Sequence, residues 1–258
     1  MKIKIITSII IITITISSLY CSENKTKLNL LLIQACKNGD INMVKKLIDK
    51  GANINYRDKL ESRTCLIWAI YKKNETLINF FIKNSIELKF NKNIYLNNAI
   101  ELASRLGHLK IVKYLVEHGA NVNTMNREGQ TPLNSAARWG NIDIVKYLIS
   151  KGADVNLKKS FTALMNAAEN AQYAIVKYLV EHGANVNLQD EIGETALIKA
   201  SSRNFFEIVK YLVEHGANVN IKSDTNRTAL NQTNDIRIIR YLVSKGAKHV
   251  QRTVNDIR

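Results

Sequence analysis

IVKYLVEHGANVN, residues 111–123, occurs three times in this chain, because the same thirteen letters return at 175–187 and at 208–220. Related copies begin at Met43, Ile144 and Ile238. A folded unit that recurs in tandem is typical of a repeat array, in which each unit buries an apolar face against its neighbours. The chain is therefore predicted to grow along one axis instead of dividing into globular domains.

Each copy predicts an amphipathic helix that ends at a glycine. Ile111, Val112 and Leu115 fall on one side of a helical wheel, which is the pattern of a helix with one buried face. Gly119 follows, and glycine readily adopts the left-handed conformation that closes a helix. The most repeated residues are thus predicted to build the stack.

A second helix is predicted upstream in each unit. Thr131 suits the N-cap of this helix, and Pro132 suits its first turn. Gly140 then separates it from the helix that follows. Each unit is predicted to be a helix, a tight turn, a second helix and an extended polar turn.

The Gly-Ala pairs give the register of the array. They begin at Gly51, Gly119, Gly152, Gly183, Gly216 and Gly246. A degraded copy with Ser85 in the glycine place fills the gap between the first two pairs. Seven units then follow one another at intervals of 34, 34, 33, 31, 33 and 30 residues.

These units resemble the ankyrin repeat. The family's hallmark, T-P-L-H-x-A followed by G-A-D/N-V-N, is matched at residues 131–136 and 152–156, and partial matches recur through residues 28–250. The resemblance implies an all-α ankyrin-repeat solenoid of about seven stacked helix-turn-helix units with extended hairpin-like turns. The units are predicted at 28–55, 56–89, 90–123, 124–156, 157–187, 188–220 and 221–250.

The chain departs from the family pattern in two ways. The histidine of T-P-L-H is replaced in every unit, by Ile67, Glu101, Asn134, Met165, Ile198 and Asn231. Its usual hydrogen bond between repeats must be replaced or lost. The glycine between the two helices is also missing at Lys73, Ala171 and Asn204, and a left-handed residue other than glycine costs about 1 kcal/mol. The unit around Ser85 is the predicted weak point, and the shortened last unit is predicted to be a cap.

The first 21 residues predict a signal peptide or an N-terminal membrane anchor. Lys2 and Lys4 precede an uncharged, mostly apolar run, and no charge follows before Glu23. Cys21 ends a poor match to a lipoprotein box. We expect a short linker at 22–27, a tail at 251–258, and an exported protein (periplasmic, secreted or membrane-anchored) in preference to a cytoplasmic one.

Two cysteines follow the predicted signal. Cys36 and Cys65 fall where small apolar side chains usually sit in successive helices. Buried free thiols are the favoured interpretation, and a disulfide stays open because sequence gives no distances. Their spacing does not suit a zinc site.

The charge balance admits two interpretations. Lys and Arg number 37 against 22 Asp and Glu, so the formal net charge is +15. Such a surplus suits an anionic membrane or an acidic polymer. The basic residues are scattered through the repeats without forming a block, which favours biased coding instead.

The sequence shows no catalytic, cofactor or metal motif, so we expect neither an enzyme nor a cofactor. His118, His182 and His215 occupy one place in three units, but stacked helices lie too far apart for three such side chains to share a metal ion. Each is predicted to be a cation near a helix C-terminus.

The partner-binding residues are predicted at the positions that differ between the repeats. In stacks of this family the first helices and extended turns line a concave face, and partners usually bind there. The partner-binding candidates on this face are Trp68, Tyr71, Lys72, Arg105, Arg138, Trp139, Glu169, Lys199 and Arg203. Lys158 and Lys159 are basic at one turn tip, whereas Asp190, Glu191 and Glu194 are acidic at the next, and such a mixture favours a protein partner.

We therefore expect a monomeric, non-catalytic scaffold that binds another protein through the concave face. The alternative is a basic module that docks on an anionic membrane or acidic polymer. Nucleic acid is not expected as a partner, because export would remove the protein from it.

Overall fold

The computed structural model describes residues 24–58, 63–87, 92–126 and 128–248, with the side chains of 84–97 left aside. The predicted signal or anchor at 1–21, including Cys21, and the predicted tail at 251–258 lie outside these residues. The described residues form thirteen helices and no strand, as the predicted all-α class requires.

The helices alternate with short turns along the chain. Their bounds are α1 (24–38), α2 (Ile41–Asp49), α3 (Cys65–Tyr71), α4 (Glu75–Glu87), α5 (Lys92–Arg105), α6 (Leu109–Glu117), α7 (Pro132–Arg138), α8 (Ile142–Ser150), α9 (Ala163–Glu169), α10 (Tyr173–Glu181), α11 (Ala196–Ser202), α12 (Phe206–Glu214) and α13 (Ile236–Ser244). They belong to two compact units, residues 1–92 and 93–258, which are described separately as unit 1 and unit 2.

Unit 1 packs α1 to α4 around aliphatic side chains. Leu32, Ile70, Leu77, Ile78 and Ile82 are almost completely buried. Burial of each such side chain stabilises the folded state by roughly 1.5–3 kcal/mol. The apolar faces of these short helices therefore hold the unit together.

A disulfide joins α1 to α3. Cys36 and Cys65 are fully buried, and their Cα atoms are 5.5 Å apart. The expectation of free thiols is therefore wrong. Helix packing brings the two side chains together from positions 29 residues apart, a proximity that sequence spacing alone does not reveal.

Unit 2 repeats one backbone pattern. The N-cap side chain of Thr131 accepts a hydrogen bond from the Asn134 amide at 3.0 Å, and Pro132 occupies the first turn of α7, as predicted. At the other end of the helix pair, Gly152 has a φ of +84° and closes α8. The Ala153 amide then donates to the Leu148 carbonyl at 3.0 Å, which satisfies a carbonyl that the helix end would otherwise leave unpaired.

The predicted left-handed residues are confirmed. The φ angles of Lys73, Ala171 and Asn204 are +52°, +60° and +59°. Asn226 adopts the same conformation (+58°) in a turn, which was not predicted.

The missing histidines are partly replaced. The Asn134 side chain donates to the Phe161 carbonyl at 2.8 Å, and the Ser135 hydroxyl donates to Glu101 at 2.7 Å, so both places link neighbouring repeats. Ile198 has no polar side-chain atom and forms no such link. The last unit has only a turn at 229–232 where the others have their first helix.

Asparagine side chains also tie successive repeats in unit 2. The Asn123 side chain donates to the Gly152 carbonyl at 3.1 Å and accepts from the Asp154 amide at 2.8 Å. The same pair of bonds recurs in the next three repeats, and the donors of this asparagine ladder are Asn123, Asn156, Asn187 and Asn220. The final Asn of each G-A-x-V-N motif is thus a connection between repeats.

The described residues of unit 1 do not continue the asparagine ladder at Asn55. Asn55 occupies the equivalent place, but its buried side-chain nitrogen finds no hydrogen-bond partner among the described residues. Ser85 stands where other units have the closing glycine, and α4 continues past it to Glu87. The helix therefore does not turn where its carbonyl would meet Asn55.

Candidate partner-binding surface

The first helices place one side chain against the preceding turn. Trp68, Ser135, Asn166 and Lys199 each lie four residues after the N-cap threonine of their helix. All four are bonded to polar groups: the Trp68 indole donates to Asp58 at 3.0 Å, and Asn166 donates to Gln130 at 3.4 Å. Three of these side chains, those of Ser135, Asn166 and Lys199, are buried, so this place mainly links neighbouring parts of the stack.

Lys199 lies in a buried charge cluster. Its ammonium is 2.9 Å from an Asp190 carboxylate oxygen and 3.0 Å from one of Glu194, and it lies 4.8 Å from the centre of the Phe161 ring. Arg227 of the next repeat binds the other Glu194 oxygen at 3.0 Å. The cluster joins three successive repeats.

Burial alone would lower the pKa of Lys199, but the hydrogen bonds and charges of Asp190 and Glu194 outweigh it and raise that pKa above its usual value. Lys199 is therefore a charged group inside unit 2, with 6% of its surface exposed. Of the three acidic residues named at this turn tip, Asp190 and Glu194 are buried, whereas Glu191 is exposed. The burial of Lys199 argues against a direct contact with a partner.

Trp139, unlike Lys199, is exposed to solvent. It caps the C-terminus of α7, and 59% of its surface is exposed, the largest fraction among the large apolar side chains of the described residues. Arg138 beside it is also exposed. A tryptophan exposed to water is an uncompensated apolar surface, and three of the equivalent places hold the polar residues Lys72, Asn170 and Arg203.

The remaining candidates of unit 2 lie at the same ends of the first helices. Arg105 and Glu169 take the place of Arg138 in their own repeats, and Arg203 takes that of Trp139. Arg203 forms an ion pair with Glu169 at 3.1 Å, across two neighbouring repeats, while Arg105 is half-buried. Arg138 and Trp139 are thus the candidates most open to a partner in unit 2.

The candidates of unit 1 belong to a cation–aromatic cluster, which consists of Lys37, Asp58, Arg63, Trp68 and Tyr71. The Lys37 ammonium is 4.4 Å from the centre of the Trp68 ring, and the Arg63 guanidinium is 4.8 Å from the same ring. Arg63 is also 4.2 Å from the centre of the Tyr71 ring. The candidate Lys72 is exposed and follows Tyr71 directly.

Sequence analysis named Asp190, Glu194 and Lys199 but missed their burial and pairing, and it missed Asp58 and Arg63. One signal was present: Asp58, Asn126 and Asp190 occupy the same place at the start of their turns. The Asp190 side chain accepts from the Ile192 and Glu194 amides at 3.1 and 2.8 Å, and Asn126 does the same in its own turn. Such Asx turns are recognisable from composition, but the partners of the carboxylates are not.

The three aligned histidines end their helices. His118 lies with its ring Nδ1 2.7 Å from the Tyr114 carbonyl, and the two ring centres are 4.1 Å apart. His182 and His215 repeat this geometry. A nitrogen that donates to a carbonyl must carry a proton, so this nitrogen is not available as a metal ligand. Within the described part of the chain, no group of three or more His, Cys, Asp or Glu is arranged to hold a metal ion.

Among the described helices, none is both long enough and apolar enough to span a lipid bilayer.

Comparison with known proteins gives the family. A family model described as ankyrin repeats (3 copies) matches residues 32–126, 89–159, 122–190 and 164–253. An ankyrin repeat protein of fowlpox virus (strain NVSL) is 30% identical over 117 residues, which are 45% of this chain and 34% of that protein.

Two relatives from animals match shorter parts. Alpha-latrocrustotoxin-Lt1a of Latrodectus tredecimguttatus is 38% identical over 97 residues, 37% of this chain and 7% of that protein. NF-kappa-B inhibitor zeta of Homo sapiens is 32% identical over 100 residues, 36% of this chain and 14% of that protein. The matches span about a third or less of each relative, so they describe repeats and not whole proteins. Because the family model extends over most of the chain and the helix pairs repeat as that family requires, this protein belongs to the ankyrin repeat family.

Proposed function

We propose that this protein is a non-catalytic scaffold that binds another protein through the face formed by its first helices and extended turns. Ankyrin repeats generally mediate binding to proteins and are typically non-catalytic. The observation that carries the proposal is the exposure of Trp139 at the end of α7. Tryptophan and arginine dominate the binding energy of many interfaces, and Arg138 adjoins it.

The positions of the copied and the variable residues within a repeat support binding at this face. The copied residues of the second helices, such as Ile144, Val145 and Leu148, are buried and hold the stack together. The residues that differ between copies lie at the ends of the first helices and in the turns. A surface that varies over a constant core is suited to recognition, since the variable residues can differ without loss of the fold.

Export belongs to the proposal as well. The signal-like layout of the first 21 residues supports it. A second support is the buried disulfide between Cys36 and Cys65, because such bonds persist in oxidising compartments. Both observations support the proposal that the protein is exported.

Trp139→Ala tests the proposed face. The partner is first captured with the full chain from an extract of the source cell envelope, and its affinity is then measured by titration. Losing a central aromatic contact should weaken binding about tenfold or more, which corresponds to at least ~1.4 kcal/mol. Ile236→Ala is the matched control, because Ile236 is 55% exposed but lies on the second helix α13. Equal affinities of the wild type and Trp139→Ala would remove Trp139 from the interface.

A basic module that docks on an anionic membrane or acidic polymer is the second candidate, favoured by the formal net charge of +15. Salt separates the two functions. Binding to a polyanionic surface should be lost almost completely as ionic strength rises, whereas an interface centred on Trp139 should retain most of its affinity.

A further inference from the structure

The cation–aromatic cluster of unit 1 concentrates positive charge on two aromatic rings. The Lys37 ammonium and the Arg63 guanidinium both lie within 5 Å of the centre of the Trp68 ring, at 4.4 and 4.8 Å. The indole nitrogen donates to Asp58 at 3.0 Å, so the ring is held in place by its edge. Cations over an aromatic face are attracted by the ring quadrupole, and the arrangement is therefore stable without a bound partner.

More positive charge adjoins the cluster. Lys72 and Lys73 follow Tyr71 directly, and both are exposed. Lys73 occupies the left-handed position between two helices, with a φ of +52°. The chain thus holds a lysine where glycine would relieve backbone strain, and this lysine extends the positive patch.

A disulfide joins the two helices, α1 and α3, that carry Lys37, Trp68 and Tyr71. Cys36 directly precedes Lys37 on α1, and Cys65 lies three residues before Trp68 on α3. The disulfide therefore ties together the two helices that carry the ring and one of its cations. A surface that is rigid before binding loses less conformational entropy when a partner binds.

We propose that this patch, formed by Lys37, Arg63, Trp68, Tyr71, Lys72 and Lys73, binds an acidic segment of the partner protein. The inference rests on the proposed protein-binding function and names the chemistry of the partner. The patch contributes four cations, and the Asp58 carboxylate beside them is buried and accepts a hydrogen bond from Trp68. Carboxylates spaced along a short segment match this charge, and they form strong hydrogen bonds with lysine and guanidinium groups.

The same geometry disfavours nucleic acid and membrane as the occupant. Lys37 and Arg63 already lie over the Trp68 ring, whereas stacking of a nucleobase needs an open ring face. The patch is also confined to the ends of neighbouring helices, while a membrane surface is best matched by a broad basic face. A short acidic peptide segment fits both conditions.

The direct test uses the full chain and a fluorescein-labelled peptide of alternating Glu and Gly, read by fluorescence anisotropy. The wild type should bind this peptide and not the corresponding Gln-Gly peptide. Replacing two cations of the patch (Lys37→Gln with Lys72→Gln) should weaken binding about tenfold. With Trp139→Phe, Trp68 is the sole tryptophan of the chain, and its emission should change when the peptide binds.

A charge-matched control separates the patch from the net charge. Lys110→Gln with Lys210→Gln removes the same charge from exposed second-helix positions of unit 2. This variant should bind the peptide within twofold of the wild type. Equal weakening by the two double variants would overturn the proposal, as would binding to phosphatidylglycerol vesicles without any binding to the acidic peptide.

Failure of this inference is distinguishable from failure of the proposed function. If the captured partner binds the patch variant and the wild type equally well but loses affinity for Trp139→Ala, the patch is not a docking site and the protein-binding function stands. If no protein binds any form of the chain, the proposed function itself fails.

Discussion

At the scale of single residues, backbone conformation explains both the most copied and the least regular positions. Gly152 is left-handed because the chain must reverse after α8, and nothing lies within 4 Å of where a Cβ would be. Ala171 is left-handed in the turn between α9 and α10, where the preceding repeat has Gly140 between α7 and α8. Glycine, which a left-handed conformation favours, is present at 152 and absent at 171. Replacing Gly152 should therefore lower the free energy of unfolding, and introducing glycine at 171 should raise it.

Gly152→Val should lower the free energy of unfolding by about 1–2 kcal/mol, since a left-handed conformation is costly for a residue with a Cβ. Space is available, so the effect should come from backbone strain and not from a clash. Ala171→Gly should instead raise that free energy by up to ~1 kcal/mol, with part of the gain offset by the freedom of glycine in the unfolded chain. Urea unfolding followed by circular dichroism measures both, and shifts of the same sign would contradict the argument.

At the scale of helices and turns, buried carboxylates attach two of the described extended turns to the helices that follow them. Lys199 on α11 binds Asp190 and Glu194 of its own turn, and Arg227 reaches Glu194 from the next turn. In unit 1 the equivalent places hold Trp68 and Asp58, joined by an indole hydrogen bond. The two attachments use the same positions with different chemistry.

Lys199→Met should destabilise the protein by about 3–5 kcal/mol, because it takes the Lys199 cation away from the buried Asp190 carboxylate and leaves Glu194 with Arg227 alone of its two cations. Lys210→Met, at an exposed position, should change the urea midpoint little. The pKa of Lys199 is raised in the folded state, so its contribution is present below the unfolded value of 10.5 and disappears as pH rises through the folded value. As pH rises above neutral, the difference in stability between wild type and variant should therefore shrink only in strongly alkaline solution, and a difference that is already lost at neutral pH would contradict this role.

The sequence predicted these elements well and their connections poorly. Periodicity and capping residues located the helices, and the register of the Gly-Ala pairs identified Lys73, Ala171 and Asn204 as left-handed. The burial of Asp190 and Lys199 could not be predicted, because acidic and basic residues in a polar turn have the composition of a solvated surface. Their pairing depends on distances that no local pattern contains.

At the scale of the whole molecule, the chain consists of two units with different means of stabilisation. Unit 2 carries glycine caps and the asparagine ladder through successive repeats. Unit 1 lacks a closing glycine at Ser85 and leaves the Asn55 side-chain nitrogen unsatisfied among the described residues. It has instead a disulfide. The predicted weak point near Ser85 therefore coincides with the unit that is covalently reinforced.

Removing the disulfide with Cys36→Ala and Cys65→Ala should destabilise unit 1 by about 3–4 kcal/mol, the loop-entropy value for a separation of 29 residues. Amide hydrogen exchange should become faster in α1 to α4 and change little in α8 to α12. A reducing agent should reproduce this in the wild type and have no effect on the variant, which serves as the control. Uniform acceleration along the whole chain would show that the two units do not unfold separately.

The unsatisfied Asn55 side chain also has a mechanical consequence. When a repeat array is stretched from its ends, extension begins where the linkage between successive repeats ruptures at the lowest force. In unit 2 the asparagine amides carry that load from one repeat to the next. Between the first two repeats the described residues show no such bond from Asn55, and the Cys36–Cys65 bond spans the same pair. Under oxidising conditions the first two repeats should therefore resist extension through a covalent bond, and reduction should turn this junction into the point at which the array yields.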